Sequence, residues 1–208
     1  MYVPKHFAAD EDVVRDLLVN HGAGNLVTNT GDGLLATLLP FIYDPAVGEL
    51  GALLGHVARN NEQWKAPALG ESLAIVAGPD VYISPSAYAA KAEHGRVVPT
   101  WNYVTAHVYG QLVVHDDAAW LEDVVRRLTT KHEAAFEEQW SVDDAPAAFV
   151  AGQLRAIVGL ELVITRIEAK AKMSQNRSEA DVDGVIASLE ARDELVSADA
   201  VRAANRRS

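Results

Sequence analysis

The stretch VVPTWNYVTAHVYGQLVV, residues 97–114, constrains the fold more than any other. It is long, apolar and rich in β-branched residues, so it reads as a strand. Pro99 lacks the N–H that a ladder needs and marks the strand's entrance. Pro99, Thr100, Trp101, Asn102 and Tyr103 then bring polar groups that need partners once buried. Local groups and a bound ligand are both open as partners.

The rest of the chain supplies companions for that strand. Further strands are expected at Asn25–Asn29, Leu34–Tyr43, Leu50–Val57, Ser72–Ala77, Val81–Ser84 and Val158–Ile167, with Pro40 marking an edge or a bulge. Gly31-Asp32-Gly33, Asp44-Pro45 and Gly78-Pro79-Asp80 are the turns between them. Strands joined by tight turns pair antiparallel, and about six of them with alternating faces suggest a small barrel. No strand–helix–strand alternation calls for a doubly wound sheet.

Helices are expected from Asp10 to about His21, after Asp116 or Asp117, from Pro146, and as an exposed helix at Ser178–Arg192. Trp120, Leu121, Val124, Val125 and Leu128 share a face of the second. One or two helical turns within Arg59–Lys65 have Asn60 or Asn61 as cap. The organisation expected is one domain over 1–177 and a C-terminal helix with a disordered polar tail over 178–208.

Composition narrows the function classes. The chain has 208 residues, and 49% of them are apolar, enough for a sizeable core. It has no cysteine, which excludes disulfides, thiolate metal sites and thiol nucleophiles and fits a reducing cytoplasm. No segment is apolar enough to cross a membrane. The net charge of −11 makes nucleic acid an unlikely partner. Phosphate-loop, zinc-protease, nucleophile-elbow and dinucleotide signatures are absent. No residue announces itself as nucleophile or general base, so the catalytic residues are unknown. His115 and His132 are expected to be solvated.

Three polar clusters at strand ends remain. Gly55-His56-Val57-Ala58-Arg59-Asn60-Asn61 combines a helix start with an arginine, a pattern suited to anions but also common on a surface. Pro99–Tyr103 is the second. Lys170, Lys172, Ser174, Gln175, Asn176 and Arg177 form the third, whose ordinary reading is a basic surface turn.

MYVPKHF, GHVARNNEQW, GPDVYISPSAY, KAEHGRVVPTWNY, AIVGLEL and KMSQNR occur in this order. With these motifs the chain resembles the PaiB family of FMN-binding negative transcriptional regulators over about Met1 to Leu189. The resemblance implies an FMN-binding split barrel: mainly β with flanking helices, a six-stranded antiparallel barrel, homodimeric, with flavin at the subunit interface. It implies that Arg59 and Asn60 hold the FMN phosphate, with His56 just ahead of them. Thr100, Asn102 and His107 would face the ring or the partner subunit, and Lys172 and Gln175 belong to the closing motif. Regulation would be indirect. The chain departs from the family pattern at Leu38, where a histidine is expected, at Glu62, a carboxylate beside the phosphate segment, and at Ala171, where an aromatic residue is expected. Piperazate synthases are a related branch that binds heme b and makes a nitrogen–nitrogen bond. On that alternative His56 or His107 is the iron ligand.

Overall fold

The computed structural model describes residues 1–20 and 22–206. The expected helix end at His21 and the tail residue Arg207 lie outside them. The chain forms α1 (Glu11–Asn20), β1 (Ala23–Thr30), β2 (Gly33–Pro40), β3 (Ile42–Asp44), β4 (Ala52–Ala58), β5 (Ser72–Ile83), α2 (Ala90–Glu93), β6 (Thr100–His115), α3 (Ala118–Glu133), α4 (Ala147–Leu154), β7 (Ile157–Lys172), α5 (Glu179–Glu190) and α6 (Leu195–Ala204). Seven antiparallel strands make one sheet in the order β2-β1-β5-β6-β7-β4-β3.

The chain divides into two compact units, and β5, β6 and β7 each contribute residues to both. The barrel unit comprises Leu18–Val76 and His107–Ile167. The edges of its sheet are β2 and β3, and only Phe41 separates them in the chain. Two residues of extended backbone span at most ~7 Å. The sheet must therefore curl until its two edges nearly meet, which makes a split barrel. Gly55 of β4 permits that approach, because a Cβ there would lie 2.8 Å from the Pro40 carbonyl oxygen. Leu26, Leu53, Val57, Ala74, Val108, Val158 and Leu160 are buried. On the neighbouring β4 positions Ala52 and Leu54 pack with Ile42 against Val124 and Leu128 of α3. The side chain of Asp117 caps that helix at Trp120 N, 2.8 Å away.

The second unit comprises Met1–Leu17, Ala77–Ala106 and the described residues from Glu168 on. Val81, Ile83, Tyr88 and Met173 form its core with Val182, Val185 and Leu189 of α5 and Ala198 and Val201 of α6. Buried Asp181 of α5 accepts a 2.9 Å hydrogen bond from Ala90 N at the start of α2.

Several expectations need correction. The run 34–43 splits at Phe41 into strands with different partners, and the runs 72–77 and 81–84 join into β5, so the sheet has seven strands. Gly78-Pro79-Asp80 is not a turn but the middle of β5. Pairing with β1 covers only Leu73–Ile75, so on that side Pro79 lies beyond the ladder and its missing N–H costs nothing there. The helical turn after β4 is a three-residue 3-10 turn, Glu62–Trp64, capped by Asn61. Helix α5 is not exposed, since Val185 and Leu189 are fully buried. The stretch expected as a polar tail contains α6, with Val201 fully buried.

The last correction gives a paired test. Val201→Asp should lower unfolding free energy by ~3 kcal/mol or more, because a carboxylate would replace a buried methyl pair. Val196→Asp, on the same helix but 72% exposed, should change it by less than ~0.5 kcal/mol. Denaturant titration of both variants checks this, and equal midpoints would mean that α6 is not packed.

Candidate functional site

The eight residues expected to bind a cofactor fall into two groups, one per unit. Thr100, Asn102, Lys172 and Gln175 belong to the unit that holds the chain's ends. His56, Arg59, Asn60 and His107 belong to the barrel unit.

The first group gathers where β6 begins and β7 ends. Lys172, the last residue of β7, donates from Nζ to Thr100 Oγ1 and, at 2.8 Å, to the Trp101 carbonyl. Asn102 is fully buried and donates to Ser174 Oγ at 2.9 Å. Ser174 has a left-handed backbone, φ 66°, in the turn that follows β7. Gln175 staples this turn: its Oε1 accepts from Met173 N at 2.7 Å and its Nε2 donates to Ala171 O at 2.6 Å. Two more cations crowd the position. Lys170 Nζ lies 5.3 Å from the Tyr103 ring centre, and the Arg177 guanidinium 4.5 Å from that of Tyr88. Burial, then the charges of Lys170 and Arg177, push the Lys172 ammonium below its ordinary pKa. The basic run 170–177 is thus a folded cluster, not merely a solvated surface turn.

The second group is differently disposed. Arg59 follows β4, and all three of its guanidinium nitrogens are used. Nε donates to the Arg155 carbonyl at 2.7 Å, one terminal nitrogen to Asp116 at 3.0 Å, and the other to Asp116 at 2.5 Å and the Ile157 carbonyl at 3.0 Å. Asn60 is exposed in the adjoining turn, and His107 is half-buried on β6. Glu62 is paired with Lys65 at 2.7 Å. His56 sits on the β4 face that carries Leu54, and burial lowers its pKa, so its imidazole is held neutral. Its Nδ1 is buried without a hydrogen-bond partner. Leu38, where the family pattern has histidine, is exposed on β2.

Two features escaped the sequence reading. Asp116, 57 residues from Arg59, is the partner that occupies it. His115, expected to be solvated, has a side chain only 23% exposed, bonds Glu161 at 2.6 Å, and stacks on Trp120 with ring centres 4.1 Å apart. Gly159 makes room for that stack. The position of His115 at the end of β6, before a capping aspartate, carries no hint of Glu161, 46 residues away.

Comparison with known proteins follows this geometry. The family described as "Putative FMN-binding domain" matches residues 1–166. An uncharacterized protein of Emericella nidulans is 31% identical over 89% of this chain and 88% of its own length. The protease synthase and sporulation protein PAI 2 of Bacillus subtilis is 30% identical over 91% of this chain and 89% of its own. The flavocytochrome Anf3 of Azotobacter vinelandii superimposes with a TM-score of 0.59 at 14% identity, covering 82% of this chain and 72% of that one, a likeness of fold.

The Arg59 clasp predicts a titration. Its hydrogen bonds hold the Asp116 carboxyl below the ordinary carboxylate range. With a pKa depressed by folding, Asp116 favours the folded state above pH ~3.9 and loses that effect as pH falls through its own folded value. In carboxyl NMR, Asp116 should titrate below pH ~3.9 in the native chain and return to about that value in Arg59→Met. An unchanged Asp116 titration in the variant would show that Arg59 is not the cause.

Proposed function

This chain belongs to the FMN-binding-domain family, and from that premise we propose that it holds FMN with its phosphate at Lys172, Thr100 and the neighbouring Lys170 and Arg177. The observation that carries this reading is the gathering of Lys170 and Arg177 about Lys172, whose pKa is lowered by burial and then by these two charges. Such a cluster gains stability from a phosphate dianion, and its donor set fits one. Asn102 and Gln175 support the site by fixing the two backbone segments that present Thr100 and Lys172. His56, Asn60 and His107, expected in the same set, lie in the barrel unit and are left out of this phosphate assignment. Arg59 would have to release Asp116 to reach a phosphate, so its part is to position the segment after β4. Bound flavin supplies electron transfer to whatever substrate the protein serves.

Flavin titration tests the assignment. Lys172→Met should weaken FMN binding by about ten- to a hundredfold, the usual worth of a charge-assisted hydrogen bond. Arg59→Met should weaken it less. The opposite ranking would return the phosphate to Arg59, and a wild type that binds no flavin would end the reading.

Heme b is the alternative cofactor, with His56 or His107 as ligand. The imidazole of His56 is neutral, as a ligand requires. The cavity beside it measures about 220 Å³, below the ~300–1,000 Å³ of cofactor-sized pockets. A macrocycle does not fit there within one chain, so flavin is preferred. A regulatory role, if it follows the family label, is indirect, because a chain of net charge −11 repels a phosphate backbone.

The proposed assembly is a homodimer. Leu34 and Leu38 are 74% and 66% exposed on β2, with Ala36 exposed between them and opposite Val27 of β1. An apolar sheet face of this kind is a docking surface, and a second copy is the partner. Light scattering at low micromolar concentration should give a dimer for the wild type and a monomer for Leu34→Asp/Leu38→Asp. A monomeric wild type would overturn the proposal.

A further inference from the structure

In the barrel unit, α3, α4 and the segment that joins them leave an apolar groove open to solvent. Two hollows lie along it, of about 220 and 320 Å³. Val142, Ala145, Val150 and Leu154 line both, so the two are continuous. Trp140 and Phe149 line the first while remaining 48% and 58% exposed. Ala147 and Ala151, one turn apart on α4, line the second and are exposed as well. Phe136, in the same joining segment, is 61% exposed. Apolar residues exposed singly need no explanation, but aromatic residues gathered at a groove do.

The charge around the groove is one-sided. Residues 133–154 include Glu133, Glu137, Glu138, Asp143 and Asp144 and no Lys or Arg. Apart from Glu133, these carboxylates are on exposed residues. Glu122 and Asp143 line the second hollow. Arg126 lines it too, but both of those carboxylates hold it at 2.8 Å, so its charge is already met. An acidic rim of this kind attracts a basic partner and repels an acidic one. It argues against an anionic lipid surface. It argues equally against a second copy, which would bring a net charge of −11; the β2 strand used in the homodimer proposal has no charged residue.

We infer that the groove between α3 and α4 docks a basic amphipathic helix of a partner protein. Apolar side chains on one face of that helix fill the two hollows, and Lys or Arg on its flanks meet the carboxylates of the rim. A helix suits the groove better than an added strand. The strands that reach its floor, β4 and β7, each lie between two others in the sheet and offer no open edge. This inference does not rest on the flavin reading.

The probes are the peptides LKKLLKLLKKLLKL and LEELLELLEELLEL, which share an apolar helical face and differ in the sign of its flanks. The full chain is titrated with each by calorimetry at physiological salt. The wild type should bind the Lys peptide about ten- to a hundredfold more tightly than the Glu peptide. Trp140→Ala/Phe149→Ala, at positions exposed enough not to threaten folding, should weaken the Lys peptide about tenfold or more. A matched pair separates docking from attraction to the whole acidic chain. Glu137→Gln/Glu138→Gln should weaken binding, while Glu11→Gln/Asp12→Asn, which removes the same charge from exposed positions of the other unit, should leave it unchanged. The inference is overturned if the Glu peptide binds as tightly as the Lys peptide, or if Trp140→Ala/Phe149→Ala keeps the wild-type affinity. It is overturned as well if Glu137→Gln/Glu138→Gln weakens binding no more than Glu11→Gln/Asp12→Asn does. If Trp140→Ala/Phe149→Ala turned a dimeric wild type into a monomer in light scattering, a second copy would be the occupant and the inference would fail.

Discussion

The chain passes from one edge of its sheet to the other across a single residue, Phe41, and the barrel unit depends on that step. An open seven-stranded sheet would leave two rows of unpaired backbone groups far apart. Here β2 and β3 are consecutive strands on opposite edges, so the covalent chain draws the edges together. Pro40 suits the last position of an edge strand, where no further N–H is needed. Gly55 removes the side chain that would otherwise hold β4 away from the Pro40 carbonyl. Phe41 itself is buried, so the crossing is also part of the core.

The same sheet explains how the proposed anion cluster is assembled. Strands β6 and β7 are each 16 residues long, well beyond the usual five or six. Thr100 begins one and Lys172 ends the other, and the hydrogen bonds of Lys172 to Thr100 and Trp101 join these ends. The turn after β7 is then fixed twice, by Asn102 on Ser174 and by Gln175 on its own backbone. Asn205 of the last helical segment adds a bond to the Met173 carbonyl at 2.8 Å. Cations that would repel one another in a mobile loop are thereby held near each other.

Much of this fold was legible in the sequence, and the misreadings have physical causes. The strand at residues 97–114, the caps at Asp10 and Asp117, and the hairpin turn at residues 31–33 announce themselves through local chemistry. Pro79 was misleading because the ladder with β1 ends at Ile75, so on that side no N–H is called for at Pro79. Helix α6 was missed because its large apolar residues face outward: Leu195 and Val196 are exposed, while Ser197, Ala198 and Val201 are buried. A hydrophobic pattern read by residue size then points to the wrong face. The partners of Arg59 and His115 were illegible for another reason. Both are carboxylates far along the chain, and no spacing rule links them.

The motif GHVARNNEQW shows how far a family signature can be read as chemistry. Arg59 binds Asp116 and two carbonyls, joining the end of β4 to the starts of α3 and β7. Asn61 caps the 3-10 turn and also donates to Thr37 Oγ1 at 3.2 Å. Gln63 is buried and donates from Nε2 to the Leu26 carbonyl and to Thr28 Oγ1. Trp64 returns to the Arg59 carbonyl at 2.9 Å. Glu62 is spent on Lys65. Each of these side chains is committed to holding the barrel's end in shape, and a motif can be kept for that alone. His56 Nδ1 and Gln63 Oε1 are the buried polar atoms of the motif that make no hydrogen bond. The arginine that looks most like a ligand residue is the one the fold holds by four hydrogen bonds.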